Sequence, residues 1–175
     1  MRIQEVIAAI NQMESDGVID RYAIGGAVGA TVYLEPIATL DVDVFVVFRS
    51  EPGNLVVNPQ PLFDYLKKHG GTIEGEYVVL GGWPVQFLPS TGPLVDEALA
   101  QAVAHDVEGT STRVFSAEHL AAIALQTGRA KDKARLLQFV ESKALNVSRF
   151  HDIVLRHGMA AAWARFERQF LSDVE

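Results

Sequence analysis

The stretch Val42 to Phe48, VDVFVVF, constrains the fold most. It is a β-branched and aromatic run of strand length, and it reads as a strand buried on both faces. A strand of that kind needs a sheet with helices packed on either side. Two carboxylates, Asp41 and Asp43, stand at its mouth. One ionised carboxylate in apolar surroundings is costly. Two facing each other are worse, unless a cation or hydrogen bonds compensate.

The flanking residues supply the layers. Ile3, Val6, Ile7, Ile10 and Met13 recur at helical spacing, and Ser15-Asp16-Gly17 closes that helix. Arg21 to Ile24 is a short strand ending in Gly25-Gly26, followed by a small-residue helix that Pro36 ends. Pro59 to His69 is predicted helical, with Gly70-Gly71 beyond it. Thr72 to Leu80 and Val85 to Leu88 read as a hairpin turning at Gly81-Gly82. Pro93 to Ala104 is predicted as a helix and Val107 to Phe115 as one more strand. From Ser116 onward four helices are expected, over 117–127, 130–144, 148–157 and 159–172, with Gly128 and Gly158 as stops. The expectation is an α/β (α+β) chain: a mixed core over residues 1–115 and a helical C-terminal region over 116–175 docked on it.

Composition narrows the chemistry. With no cysteine among 175 residues, disulfides, thiolate catalysis and Cys-type zinc sites are excluded, and a reducing cytoplasm is the expected setting. No apolar run of about 18 residues occurs, so no membrane span is expected, and the first residues do not form a signal peptide. A net charge of −7 argues against non-specific binding to a nucleic-acid backbone.

Strand periodicity sets Asp41 and Asp43 on one face, with Cα atoms roughly 6.5–7 Å apart. Carboxylates so placed can both ligate divalent cations, and Mg²⁺ takes one or two protein carboxylates together with substrate phosphates. Gly25-Gly26 at a strand-to-helix turn is the natural companion, because a backbone without Cβ atoms can approach a phosphate. Each element alone is also ordinary turn chemistry. Buried carboxylates satisfied by backbone N–H groups are a further alternative.

In combination, Ile24-Gly25-Gly26 followed by Thr39-Leu40-Asp41-Val42-Asp43-Val44 resembles the signature of the nucleotidyltransferase superfamily typified by DNA polymerase β. Gly128-Arg129-Ala130-Lys131-Asp132 fits the Lys-Asp place of the small bacterial AbiEii-type enzymes, many of them toxins of toxin–antitoxin pairs. The resemblance implies a nucleotidyltransferase-fold mixed sheet flanked by helices. It implies transfer of a nucleoside monophosphate from a nucleoside triphosphate to a hydroxyl of an RNA, a protein or a small molecule. In its terms Asp41 and Asp43 hold Mg²⁺ (or Mn²⁺), Gly25 and Gly26 cradle the triphosphate, and Thr39 lies near the metal. Lys131 neutralises charge in catalysis, Arg135 adds to the nucleotide contacts from the same helix face, and a cognate antitoxin is a possible partner.

One position departs. The superfamily's third carboxylate falls on a later strand, and the matching segment Trp83 to Pro89 carries Gln86 there. An amide oxygen can ligate a metal but brings no charge, and it takes no proton near neutral pH. Glu76, on the preceding strand, is the acid that could substitute for it in space. Two readings stay open: an enzyme, or a nucleotide- or partner-binding module that kept the fold and lost an acid. Arg113 and His119 have the loose spacing of HEPN ribonucleases, but they straddle a strand end and a helix start.

Overall fold

A computed structural model of the chain describes residues 2–36, 41–49, 52–53 and 56–172. Among the described residues seven strands form one mixed sheet: β1 (Ile19–Ile24), β2 (Val42–Phe48), β3 (Thr72–Glu74), β4 (Tyr77–Leu80), β5 (Trp83–Pro89), β6 (Val103–Val107) and β7 (Thr110–Val114). Their spatial order is β3-β4-β5-β2-β1-β7-β6. The centre pairs β1 antiparallel to β2 and β2 parallel to β5, with Asp43 opposite Gln86. The candidate strand β2 is therefore interior, bonded on both edges.

Helices cover both faces, as the apolar run requires. On one face, α1 (Ile3–Ser15) and α3 (Gln60–Lys68) pack Val6, Ile10, Met13, Leu62 and Leu66 against Val42, Val44 and Val46 of β2. On the other face sit α2 (Gly26–Ala30), α4 (Pro93–Ala100), α5 (Ala117–Thr127), α6 (Ala130–Glu141) and α7 (Val147–Arg156), around Ala23, Phe115 and Phe139. Helix α8 (Ala160–Phe166) runs on into a π-helical turn to Leu171 and closes this side with Trp163 and Phe166. Among the described residues no helix is long and apolar enough to cross a membrane.

Several boundaries differ from the expected ones, each for a local reason. Strand β2 is not equally buried on both faces. Val42, Val44 and Val46 are buried, whereas Asp43 and Phe45 are only half-buried, because the face carrying Asp43 opens at the head of the strand. Helix α2 stops at Ala30, and backbone bonds from Val32, Tyr33 and Leu34 continue it only as turns. Thr72 to Leu80 is itself a hairpin, reversed at Gly75-Glu76, where Gly75 takes φ +64°. Helix α4 ends at Ala100. The following residues pair as the β6–β7 hairpin through Glu108-Gly109, both with positive φ, the geometry of a tight two-residue turn. Helix α6 ends at Glu141, and Lys143 adopts φ +55° just beyond it.

Candidate active site

The site begins at the strand-to-helix turn after β1. Gly25 N–H donates to the Asp43 backbone oxygen at 3.0 Å, locking this turn onto β2. Gly26 has φ +58°, a conformation that glycine adopts without strain. A Cβ on Gly26 would lie 2.0 Å from Asp43 Oδ2, and one on Gly25 would lie 2.6 Å from the Phe45 ring. Neither position has room for a side chain. The pair brings bare backbone against the Asp43 carboxylate, with the Phe45–Phe115 ring contact, 4.8 Å between centroids, packed behind it.

Alternation along β2 sends Asp43 to the face occupied by α5 and α6. Its carboxyl pKa is raised above the usual carboxylate range, first by burial and then by the charge of Asp41. Lys131, Arg135 and Arg129 oppose that rise. Three cations, two from α6 and one from its N-cap, therefore act on the Asp43 carboxylate. The resemblance implied Lys131 and Asp132 on this helix, and four-residue spacing added Arg135 to the same face. Arg129 and Asp132 complete the group.

Asp132 is 2% exposed, and its carboxylate accepts from Arg129 Nε at 2.6 Å and from the Arg129 backbone N–H at 3.3 Å. Arg135 reaches the same carboxylate at 3.9 Å. A buried carboxylate needs such partners, and the consequence is that two guanidiniums are held on the side of α6 that faces Asp43. The helix dipole alone favours an acid in the first turn of α6 and gives no sign of this clamp. The spacing of Arg129, Asp132 and Arg135, three residues apart on a helix start, was the signal for it.

On the other side of Asp43, across the ladder, lies Gln86. Its Nε2 donates to Glu76 Oε2 at 3.1 Å. One residue beyond the paired Val78 and Val85, the β4–β5 register sets Tyr77 opposite Gln86, and Tyr77 pairs with Glu74. Asp43, Gln86, Tyr77 and Glu74 thus form a polar row across four strands. The Tyr77 hydroxyl is pushed up, first by Glu76 and further by burial and by Asp41. Tyr77 was missed in the sequence because one long strand over 72–80 hid the turn that aims it here.

Thr39 lies outside the described residues. Arg113 and His119 are not brought together as a catalytic pair. Arg113 donates to the Tyr22 carbonyl at 3.1 Å and pairs with Glu14, while His119 is fully buried between Ser116 and Glu97.

The donor set beside the glycines is all oxygen: two carboxylates and the amide oxygen of Gln86. Hard divalent cations prefer such donors. Among the described residues no three His, Cys, Asp or Glu side chains converge so as to hold a metal ion. The bare Gly26 backbone set against the Asp43 carboxylate fits the same chemistry.

No protein-family profile and no curated protein sequence matches this chain significantly. Solved structures do. A crystal structure of the aminoglycoside nucleotidyltransferase ANT(2'')-Ia in complex with adenylyl-2''-tobramycin superimposes with a TM-score of 0.55. Its identity is 16%, over 93% of this chain and 98% of that one. A solution structure of the same antibiotic-resistance factor gives 0.55 and 15%, over 95% of each chain. An antigenic nucleotidyltransferase-like protein from Paracoccidioides brasiliensis gives 0.55 and 16%, over 91% of this chain and 90% of the other. At such identities the likeness shows the fold, and the fold of this chain is that of the nucleotidyltransferases.

Proposed function

We propose that this chain is a metal-dependent nucleotidyltransferase that transfers a nucleoside monophosphate from a nucleoside triphosphate to a hydroxyl. One observation carries the reading: three cations, Lys131, Arg135 and Arg129, bear on the carboxylate that Gly26 leaves no room to shield. Asp41 and Asp43 are the residues that would hold Mg²⁺ (or Mn²⁺), which when bound offsets charge on the phosphates. Lys131 and Arg135 neutralise the triphosphate from the α6 side, Gly25 and Gly26 admit it to the backbone, and Asp132 keeps the guanidiniums in place. Without such compensation Asp41 and Asp43 repel each other in a half-buried setting, and a site with no cationic ligand gains nothing from both.

The acceptor side is acidic and aromatic, formed by Glu74, Glu76 and Tyr77, on a chain of net charge −7. A cationic hydroxyl compound of the aminoglycoside kind is therefore the first acceptor to try, ahead of RNA or protein. A closer affinity to AbiEii-type toxins, with a cognate antitoxin as partner, rests on the Gly128-to-Asp132 segment alone.

The second reading, a nucleotide-binding module without turnover, is favoured by Gln86 standing opposite Asp43. Incubation with each α-labelled nucleoside triphosphate, Mg²⁺ and separate pools of aminoglycosides, RNA and protein distinguishes the two. The enzyme reading expects label on one acceptor class and its loss in Asp41→Ala. Binding without transfer supports the module, and transfer undisturbed in Asp41→Ala contradicts the site.

A further inference from the structure

Position 86 is where this chain leaves the site without an acid on β5, yet a carboxylate stands beside it. Glu76 sits in the β3–β4 turn immediately after Gly75, whose φ of +64° reverses the chain. On one side its Oε2 accepts from Gln86 Nε2 at 3.1 Å, and Gln86 is the ladder partner of Asp43. On the other side Tyr77 follows it as the first residue of β4 and pairs with Glu74. An exposed glutamate on a turn ordinarily samples many rotamers. This one is tethered to the ladder partner of Asp43.

We propose that Glu76 supplies the carboxylate that β5 lacks, with Gln86 as the positioning residue that holds it. The inference rests on the nucleotidyltransferase reading above. Glu76 does not join Asp41 and Asp43 as a third ligand, since no three acids converge on one point among the described residues. Its place is on the acceptor side, reached from the turn and not from the strand. There it takes the proton of the acceptor hydroxyl. The oxygen freed of that proton bonds to the α-phosphorus, the bond from that phosphorus to the bridging oxygen breaks, and its electron pair leaves with pyrophosphate. Gln86 cannot accept that proton itself. Its amide N–H fixes the Glu76 oxygen.

The test compares wild type, Glu76→Gln, Gln86→Ala and the double variant Glu76→Gln/Gln86→Glu, which returns the acid to β5. Calorimetry with Mg²⁺ and nucleoside triphosphate reads binding, labelled-nucleotide transfer reads turnover, and the Gln86 side-chain amide resonances read the tether. Glu76→Gln is expected to lose turnover by roughly 10²–10⁴-fold, the usual effect of a positioned proton acceptor. Its nucleotide affinity should stay within about twofold, while the Gln86 amide resonances shift. Gln86→Ala should lose turnover by a smaller factor than Glu76→Gln. The double variant should regain at least about tenfold over Glu76→Gln.

Two results overturn the assignment of Glu76: a Glu76→Gln variant with turnover within about threefold of wild type, or a wild type that binds nucleotide without turning it over. Absence of nucleotide binding by the wild type is different. It overturns the reading of the whole site, and the proton acceptor falls with it.

Discussion

At the scale of single residues, Gly26 and Asp43 define each other. Gly26→Ala would place a methyl group 2.0 Å from Asp43 Oδ2 at φ +58°. The expected outcome is a stability loss of about 1–3 kcal/mol from left-handed strain and the clash, measured by urea unfolding, together with loss of nucleotide binding. Gly82→Ala is the control. Gly82 also has positive φ, +84°, but a methyl group there would meet nothing within 4 Å, so binding should survive. Asp43 gives the opposite stability effect. Its carboxyl is pushed up by burial and by Asp41, so its ionised form at neutral pH destabilises the fold. Asp43→Asn should therefore raise stability by about 1 kcal/mol while abolishing metal-dependent nucleotide binding, a trade common at functional sites. A variant no more stable than wild type would contradict that account of the carboxylate. The acid pair and the two glycines were legible in the sequence because their chemistry is local. Gln86 could be aligned with the acid position, but its contact with Glu76 depended on a turn at Gly75 that the exposed, weakly patterned Thr72-Ile73-Glu74 segment did not announce.

At the scale of elements, a buried network fastens α4 to the helices after it. Glu97 of α4 accepts from His119 Nε2 of α5 at 2.8 Å and pairs with Arg156 of α7, with His157 Nε2 3.3 Å away. Ser116 caps α5, accepting from the His119 backbone N–H at 3.1 Å, and its hydroxyl meets His119 Nδ1 at 2.7 Å. Arg156 first, and the two histidines after it, hold the Glu97 carboxyl down at about 2, while burial holds His119 below its ordinary 6.5. The signs follow from proton linkage. A depressed carboxyl contributes stability above its unfolded pKa, near 4.5, and loses it as pH falls toward 2. A histidine kept neutral in the fold loses stability once the unfolded chain protonates, below about 6.5. Thermal unfolding between pH 8 and 3 should therefore show stability falling in two stages. Glu97→Gln should flatten the lower stage and His119→Gln the upper one, and unchanged profiles would refute the assignments. None of this was legible beforehand, since Glu97, His119 and Arg156 lie on three helices far apart in sequence. The α4 end was misjudged for a related reason: Ala102 to Ala104 extend a helical pattern that the β6–β7 pairing overrides.

At the scale of the whole molecule, the continuous apolar run of β2 and the helical spacing of Ile3 to Met13 sufficed for a layered α/β fold, because burial patterns survive in any register. The order β3-β4-β5-β2-β1-β7-β6 was not legible, since strand pairing is a long-range choice that one sequence does not display. That order sets Asp43 between the Gly25-Gly26 turn and Gln86, and beneath the cations of α6. The architecture therefore concentrates opposite charges at the head of one interior strand on a chain of net charge −7. The most direct measurement is calorimetric titration of a nucleoside triphosphate into wild type, Asp41→Ala and Asp43→Asn, each with Mg²⁺ and with chelator. Binding by wild type alone, and only with Mg²⁺, is the predicted result. Equal binding by all three proteins, or binding indifferent to Mg²⁺, would contradict the site described above.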